Sequence, residues 1–294
     1  MGMGRDLYDS SDAVKKLYEL ASDEMRLDIA RLSFEGPAEE LKRTHITQPA
    51  ILLHSLSVLT VMGDNLPDFD YAAGHSLGEY GALAVCGALS FEDAIRAVIK
   101  RAALMEEACQ QNEGTMAAIM GLNIEQVRKV CETAAEAGMV VPANFNSDIQ
   151  IVVSGSVAGV EKAIELAKES GAKRAMKIEV GGAFHSPLME PARLGLSEYL
   201  ANIVIQPPTR PVVANVTGQP AEQPEDIRKL LVQQLTAPVK WAQTMAYLKN
   251  KNVTEIIEIG PGKVLTGLAK RAMQPENMIN LDRLEDISNF VPVI

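Results

Sequence analysis

The sequence predicts an α/β fold into which a second, smaller α/β subdomain is inserted, and two patterns carry this prediction. Helix-like and strand-like segments alternate through most of the 294 residues. Within residues 114–182 the order is strand, helix, strand, strand, helix, strand, which is the ferredoxin-like βαββαβ arrangement. We therefore expect a large subdomain formed by 1–113 and 183–294 and a small subdomain formed by 114–182.

Local signals predict the elements before the insertion. Pro49 suits the first turn of a helix, because an N–H group at that position has no intrahelical partner. Ser90 is a favourable N-cap residue, and the segment FDYAA ends at a glycine corner. Residues 12–33 carry apolar positions at helical spacing. The sequence further predicts helices from Pro49, from Leu77 and over 91–108, and a strand over 69–73.

Capping residues mark the helices of the inserted segment. Asn123, with Gln126 three residues later, has the pattern of a capping box, and Ser156 suits the N-cap of a second helix. The predicted strands here are 115–121, 139–143, 149–153 and 175–180. After the insertion we expect strands over 211–215 and 255–259 and helices over 224–236, 241–251 and 263–273.

Composition and charge exclude several classes of protein. A net charge of −10 argues against a nucleic-acid partner bound through a general basic surface. No window holds 18 uninterrupted apolar residues and no secretory signal opens the sequence, so we expect no membrane association. Cys86, Cys109 and Cys131 are scattered and never form a CxxC pair, so we expect small buried thiols and no metal site. This cysteine usage predicts a reducing compartment: the cytoplasm, or an organelle stroma or matrix if a targeting segment has been removed.

The pentapeptide GHSLG places Ser76 between Gly74 and Gly78 at the end of a predicted strand. This G-x-S-x-G spacing suits a strained strand-to-helix turn that projects the hydroxyl group. The N–H of Leu77 and the positive end of the following helix would face an oxyanion there. A serine hydroxyl needs a base within hydrogen-bond reach, so these residues alone predict either a nucleophile or a structural glycine-serine turn.

The histidines differ in their suitability as that base. His45 lies in a polar stretch and His54 within a predicted helix, so we interpret both as structural. His75 adjoins Ser76, and neighbouring side chains on a sharp turn point in different directions. His185 lies on a loop at the exit of the inserted subdomain, where functional residues are common, so we select it as the base.

Five segments together resemble the malonyl-CoA:acyl-carrier-protein transacylases, which belong to the acyl transferase family. They are GHSLGEY (74–80), KRAALMEEA (100–108), GAFHSPLM (182–189), LVQQLTAPVKW (231–241) and IGPGKVLTGLAKR (259–271). The resemblance covers essentially the whole chain and keeps the order of the family's motifs. It implies an α/β-hydrolase-like body with a parallel sheet and an inserted ferredoxin-like subdomain.

The resemblance also implies a role for each matching residue. Ser76 takes the malonyl group as an ester, and His185 is the base. Gln234 orients that histidine through its backbone carbonyl, in place of the acid of a triad. Arg101 clamps the malonyl carboxylate, for which an arginine fork is suited because it can donate two parallel hydrogen bonds.

The implied reaction is a ping-pong transfer without a metal or redox cofactor. The malonyl group moves from malonyl-CoA to Ser76 and then to the phosphopantetheine thiol of acyl carrier protein, which supplies fatty acid synthesis. Malonyl-CoA and acyl carrier protein are therefore the expected partners, and we expect a monomer. Phe184 matches the small-acyl pattern of related polyketide acyltransferases, so we expect malonyl rather than methylmalonyl as the acyl group.

The start of the sequence departs from the family's pattern. Members usually begin with a strand and a GQGSQ loop that supplies a second oxyanion donor, and MGMGRDLYDSS resembles the segment after that loop. Losing one oxyanion donor typically lowers the rate by roughly 10²–10³, so we expect impaired activity of the chain as written.

Other functions stay open at this point. A serine esterase or thioesterase would share the GHSLG pentapeptide, although lipases carry their histidine near the C terminus. A non-catalytic relative would bind acyl carrier protein as a scaffold. An acyltransferase of polyketide synthesis or of malonate decarboxylation differs little in sequence.

Two loops have two interpretations each. GPGK (260–263) is not a Walker A loop, because Ile257 and Val264 stand where glycine and Ser or Thr are needed. It either contacts an anion or forms a packing turn. NFN (144–146) either lines a cleft or simply makes turns.

Overall fold

The structure, a computed structural model, describes residues 2–290, which divide into two compact units. Unit one contains the described parts of Met1–Ala102, Ile203–Val212 and Leu248–Ile294. Unit two contains Ala103–Asn202 and Val213–Tyr247. These units are groups of residues in dense mutual contact, and the subdomain boundaries predicted from the sequence stay a prediction.

Helices and strands alternate along the described chain, in agreement with the predicted α/β class. In chain order the helices are α1 (Arg5–Ser10), α2 (Asp12–Met25), α3 (Ile29–Glu35), α4 (Ala38–Leu41), α5 (Thr44–Met62), α6 (Gly78–Val85), α7 (Phe91–Gln111), α8 (Ile124–Ala134), α9 (Val157–Glu169), α10 (Glu190–Leu200), α11 (Pro224–Gln233), α12 (Trp241–Asn250), α13 (Val264–Ala272) and α14 (Leu284–Asn289). The strands are β1 (Ala72–Ala73), β2 (Thr115–Met120), β3 (Val140–Ser147), β4 (Gln150–Gly155), β5 (Arg174–Ile178), β6 (Val212–Ala214), β7 (Gln219–Ala221), β8 (Glu255–Ile259) and β9 (Asn277–Leu281).

Unit two contains the ferredoxin-like arrangement that the sequence predicts. Strands β2 to β5 form an antiparallel sheet in the order β3-β4-β2-β5, with α8 following β2 and α9 following β4. Apolar side chains of α8, α9 and alternate strand positions form one buried cluster, which includes Ile119, Val130 and Val160. The predicted capping box is present, since Asn123 and Gln126 each accept a 2.9 Å hydrogen bond from the other's backbone N–H.

Unit one has a core formed by α5, by the parallel pair β8–β9 and by α1 and α14. Leu7, Val58, Met62 and Leu281 are its fully buried members, and Ile257 lies opposite Ile279 in the parallel register. The stretch Thr44–Asn65, which includes α5, is long and apolar enough to span a membrane, and 67% of an apolar 18-residue window within it is buried inside the protein. Such burial is typical of the core helix of a globular unit.

Three predicted elements differ from those in the structure. The periodic stretch 12–33 forms two helices, because Arg26 adopts a left-handed conformation (φ 50°) that ends α2 and Asp28 caps α3. Helix α5 begins at Thr44 and not at Pro49, because buried side chains such as Ile46 already pack in this additional turn.

The predicted strand over 69–73 is reduced to β1. The N–H of Phe69 donates to the Asp68 carboxylate and its carbonyl accepts from Arg210, so this backbone bonds to side chains and joins no ladder. The Ala72 N–H instead donates to the carbonyl of Pro211, and β1 is therefore a short strand directly before the glycine turn.

Candidate active site

Ser76 lies at the sharp turn between β1 and α6. Its φ of 52° is left-handed, a conformation that is unfavourable for a non-glycine residue and that clusters at functional sites. The Gly78 N–H donates to the His75 carbonyl at 3.0 Å, and the Glu79 N–H donates to the Ser76 carbonyl at 3.2 Å. The turn therefore continues directly into α6, of which Leu77 is the N-cap residue. This places the Leu77 backbone at the positive end of the helix.

The two glycines that flank the serine have different surroundings. A Cβ atom on Gly74 would lie 2.0 Å from the carbonyl carbon and oxygen of Gly78 and 2.6 Å from the Glu79 nitrogen. A Cβ atom on Gly78 would meet nothing within 4 Å. Glycine is therefore required at position 74, where the backbone of the turn packs closely, and position 78 has room for a side chain.

Arg101, on α7, is 1% exposed and contacts the serine directly. Its Nη2 donates to Ser76 Oγ at 2.9 Å, and its Nη1 donates to the side-chain oxygen of Gln48 on α5. The guanidinium carbon also lies 6.0 Å from the ring centroid of Tyr80. Burial lowers the pKa of Arg101, while the nearby Tyr80 and Glu79 oppose that shift.

His185 is a second non-glycine residue with a left-handed backbone, with a φ of 57°, and it is 4% exposed. Its Nδ1 lies 2.7 Å from the backbone carbonyl oxygen of Gln234, which can only accept a hydrogen bond. The hydrogen of a neutral ring is therefore on Nδ1, and Nε2 keeps the lone pair that a general base needs. Gln234 is itself buried, and its side-chain amide donates to Asn215 Oδ1 at 3.5 Å.

The loop before His185 packs closely inside unit two. A Cβ atom on Gly182 would lie 2.1 Å from the sulfur atom of Cys109 on α7. Phe184 packs against Met116 and Val152, which are buried on the sheet. These contacts hold the backbone on the N-terminal side of the histidine.

The structure thus brings the predicted site residues together in two sets. Ser76, Leu77 and Arg101 form one set within unit one. His185 and Gln234 form the other set within unit two, with Phe184 beside the histidine in sequence. Sequence reasoning missed Gln48, although one signal was available: it is the last polar residue before Pro49 and the apolar run that follows.

His54 has a structural environment, as its helical position predicts. It is fully buried on α5, and its Nε2 lies 3.1 Å from the Oδ1 of Asp282. Burial lowers the pKa of His54, against the opposing effect of the Asp282 charge. The GPGK loop lies beside this pair, since the Gly262 N–H donates to Asp282 Oδ2 at 3.1 Å.

The GPGK loop has the contacts of a packing turn. The N–H groups of Leu265 and Thr266, in the first turn of α13, donate to the two carboxylate oxygens of Glu258 at 3.0 and 2.7 Å. A side chain of the protein thus already takes the place that an anion would take at this helix N-terminus.

NFN (144–146) lies within β3 and does not form a turn. Phe145 belongs to the buried core of unit two, and its N–H donates to the Val239 carbonyl at 2.9 Å. The segment therefore contributes to the core through its aromatic side chain.

The three cysteines are free thiols, of which Cys86 and Cys131 are buried and Cys109 is half-buried. Burial raises the pKa of Cys86 and Cys109 to about 11 and that of Cys131 to about 12, which disfavours the reactive thiolate. Within residues 2–290 no three His, Cys, Asp or Glu side chains are placed to hold a metal ion. The expected absence of a metal stays a prediction.

Comparison with known proteins identifies the family. The family model described as "Acyl transferase domain" matches residues 1–284. The chain belongs to the acyl transferase family. Within this family it is 45% identical over 272 residues to the malonyl CoA-acyl carrier protein transacylase of Bacillus subtilis (strain 168), which covers 92% of this chain and 86% of that relative.

Solved structures of acyl transferases have the same fold. The acyl-carrier-protein-S-malonyltransferase from Bartonella henselae matches with a TM-score of 0.93 and 38% identity, over 98% of this chain and 93% of that one. A malonyl-transacylase solved in complex with its type II PKS acyl-carrier protein matches with a TM-score of 0.92 and 38% identity, over 98% and 94%. These likenesses confirm the predicted fold class, an α/β-hydrolase-like body with a ferredoxin-like subdomain.

Proposed function

We propose that this acyl transferase moves the malonyl group of malonyl-CoA to the phosphopantetheine thiol of acyl carrier protein, for fatty acid synthesis. The observation that carries the proposal is the 2.9 Å contact between Ser76 Oγ and the buried guanidinium of Arg101. It joins a hydroxyl nucleophile to a fixed cation. Malonyl-CoA differs from acetyl-CoA by a carboxylate, which is the group that such a cation selects. The similar proteins from Bacillus subtilis and Bartonella henselae are a malonyl CoA-acyl carrier protein transacylase and an acyl-carrier-protein-S-malonyltransferase, which supports the same reaction.

In the first half of the reaction, Ser76 Oγ attacks the thioester carbonyl of malonyl-CoA. His185 Nε2 accepts the hydroxyl proton, and the Gln234 carbonyl stabilises the resulting imidazolium through Nδ1. The new C–O bond gives a tetrahedral intermediate, whose collapse breaks the C–S bond, and the proton on His185 leaves with coenzyme A as its thiol. The Leu77 N–H at the start of α6 stabilises the oxyanion of the tetrahedral intermediate.

In the second half, the thiol of the carrier protein's phosphopantetheine arm attacks the malonyl-serine ester. His185 takes the thiol proton and returns it to Ser76 Oγ as the C–O bond breaks, so the enzyme regains its starting state. No electrons are transferred to an acceptor, and the proposed reaction needs no metal or redox cofactor.

Arg101 and Phe184 set the acyl group in this proposal. In the proposed malonyl ester, the Nη2 group that donates to Ser76 Oγ in this structure donates to the malonyl carboxylate. This clamp also orients the thioester carbonyl toward the nucleophile. The bulk of Phe184 disfavours the extra methyl of methylmalonyl.

Acyl carrier protein is the proposed macromolecular partner. A structural relative was solved in complex with its acyl-carrier protein, and that carrier is of the type II PKS class. We propose that this chain acts as a monomer in the cytoplasm.

The test is incubation with malonyl-CoA followed by intact-mass measurement. We expect a mass increase of one malonyl group, absent from Ser76→Ala and retained in the exposed control Ser288→Ala. Addition of holo acyl carrier protein should remove the adduct and load the carrier. Absence of an adduct on the unmodified chain would support a non-catalytic scaffold, and ester hydrolysis faster than malonyl transfer would support an esterase.

A further inference from the structure

The segment 209–211 contacts the strand that leads into the turn of Ser76, and both belong to unit one. The Ala72 N–H donates to the Pro211 carbonyl at 3.0 Å. This contact belongs to β1, which is only two residues long, whereas a strand of a globular protein usually has about five or six. Strand β1 by itself therefore offers few ladder positions to hold the backbone that enters the nucleophile turn.

The same segment also contacts the end of α6, the helix that follows Ser76. The N–H and Oγ1 of Thr209 both donate to the carbonyl of Cys86, the C-cap residue of α6, at 2.8 and 3.0 Å. Carbonyl groups at a helix C-terminus have no partner within the helix, so these bonds satisfy one of them. The segment 209–211 therefore connects the strand before the serine to the helix after it.

Arg210 adds an anchor just before β1. Its Nε donates to the Phe69 carbonyl at 2.9 Å, and its Nη2 donates to Asp68 Oδ1 at 2.6 Å. The same Asp68 oxygen accepts from the Phe69 N–H at 3.1 Å, which closes the arrangement. The guanidinium is planar and rigid, so two donors on one fork fix the direction of the backbone that they hold.

The anchor is exposed, so its effect on position can be separated from its effect on stability. The side chains of Arg210 and Asp68 are 45% and 85% exposed. Exposed ion pairs contribute little to the free energy of unfolding. A displacement of about 1 Å at a reacting group, in contrast, lowers a rate roughly 100-fold. Such an anchor can therefore be important for the reaction while it contributes little to the fold.

We propose that Arg210 is a positioning residue for the acyl transfer, which fixes the backbone entering the turn of Ser76 relative to the helix that leaves it. It acts through Phe69 and β1, and it lies outside the candidate active site. This inference rests on the proposed function and adds a residue that supports the nucleophile.

The experiment follows single-turnover formation of the malonyl-serine ester by quenched intact-mass spectrometry, over a range of malonyl-CoA concentrations. Arg210→Met keeps the apolar stem and loses every donor. It should lower the maximal rate about 3- to 10-fold, because one of several anchors is lost, and leave the half-saturating concentration within about 2-fold. Arg210→Lys, which lacks the fork, and Asp68→Ala, which spares the bond to the Phe69 carbonyl, should each lower the maximal rate about 2- to 3-fold.

The matched control is Arg128→Met on α8, which removes another exposed ion pair. Arg128 lies 3.5 Å from Glu125, and the two side chains are 54% and 81% exposed. This variant should leave the maximal rate unchanged. Amide hydrogen exchange tests the anchoring directly: exchange within residues 68–80 should be at least about 3-fold faster in Arg210→Met and unchanged in Arg128→Met.

Equal maximal rates in Arg210→Met and Arg128→Met would overturn the inference, and so would a change confined to the half-saturating concentration. Chemical denaturation checks folding. If Arg210→Met does not fold, unchanged maximal rates in both Arg210→Lys and Asp68→Ala are sufficient to overturn the inference. If the unsubstituted chain forms no malonyl-serine ester, the proposed function fails, and equal hydrogen exchange in Arg210→Met and Arg128→Met would then overturn the anchoring separately.

Discussion

Alanine at position 74 should slow acylation of Ser76, whereas alanine at position 78 should stabilise the fold, although the G-x-S-x-G motif has glycine at both positions. In Gly74→Ala the new Cβ would lie 2.0 Å from the Gly78 carbonyl. This is roughly 1.5 Å inside the normal contact distance of about 3.5 Å. Both groups belong to backbone, so the turn itself must open by about this amount. A displacement of about 1 Å at a reacting group lowers a rate roughly 100-fold, and we expect at least this loss of Ser76 acylation.

Gly78→Ala is the matched control, because its Cβ would enter open space at the first residue of α6. Alanine there reduces the freedom of the unfolded chain, so the free energy of unfolding should rise by about 0.4–1 kcal/mol. The rate of malonyl-serine formation is measured by quenched intact-mass spectrometry, and stability by chemical denaturation. Equal acylation rates in the two variants would refute the reasoning, since the contacts of Gly74 would then not define the turn.

Three further predictions concern charge, packing and pH. Arg101→Ala should reduce malonyl transfer while relatively sparing acetyl transfer, and an equal loss of both activities would contradict the carboxylate clamp. Gly182→Ala should slow malonyl transfer by moving the His185 loop, because its Cβ would lie 2.1 Å from the Cys109 sulfur, and the added change Cys109→Ala should restore much of the rate. The pKa of His54 is lowered in the folded state, so below about pH 6.5 the unfolded chain binds a proton at this residue before the folded chain does. The free energy of unfolding therefore falls as the pH falls, by at most about 1.4 kcal/mol per pH unit. Urea denaturation at pH 7.5 and 5.5 should show a smaller loss for His54→Gln, and an equal loss would exclude His54 as its source.

Elements with short-range signals could be predicted from the sequence. The capping box of Asn123 and Gln126 and the N-cap Ser156 lie within a few residues of the helices they begin. Strand β8 occupies the predicted residues 255–259 because its apolar pattern is local. The family motifs also predicted that Gln234 would lie beside His185, and the structure places its carbonyl 2.7 Å from Nδ1.

Sequence alone determined the α/β class and the βαββαβ order, because these depend on periodicity and helix caps, and the family resemblance predicted the residues of the proposed site. Only the tertiary structure decided which partners those residues have. The contact of Arg101 with Gln48 joins positions 53 residues apart, and the anchoring of Phe69 by Arg210 joins positions 141 apart. Such contacts depend on how separate helices and loops pack, which no local pattern encodes. For the same reason the structure distinguishes Gly74 from Gly78, two glycines that the motif presents as equivalent.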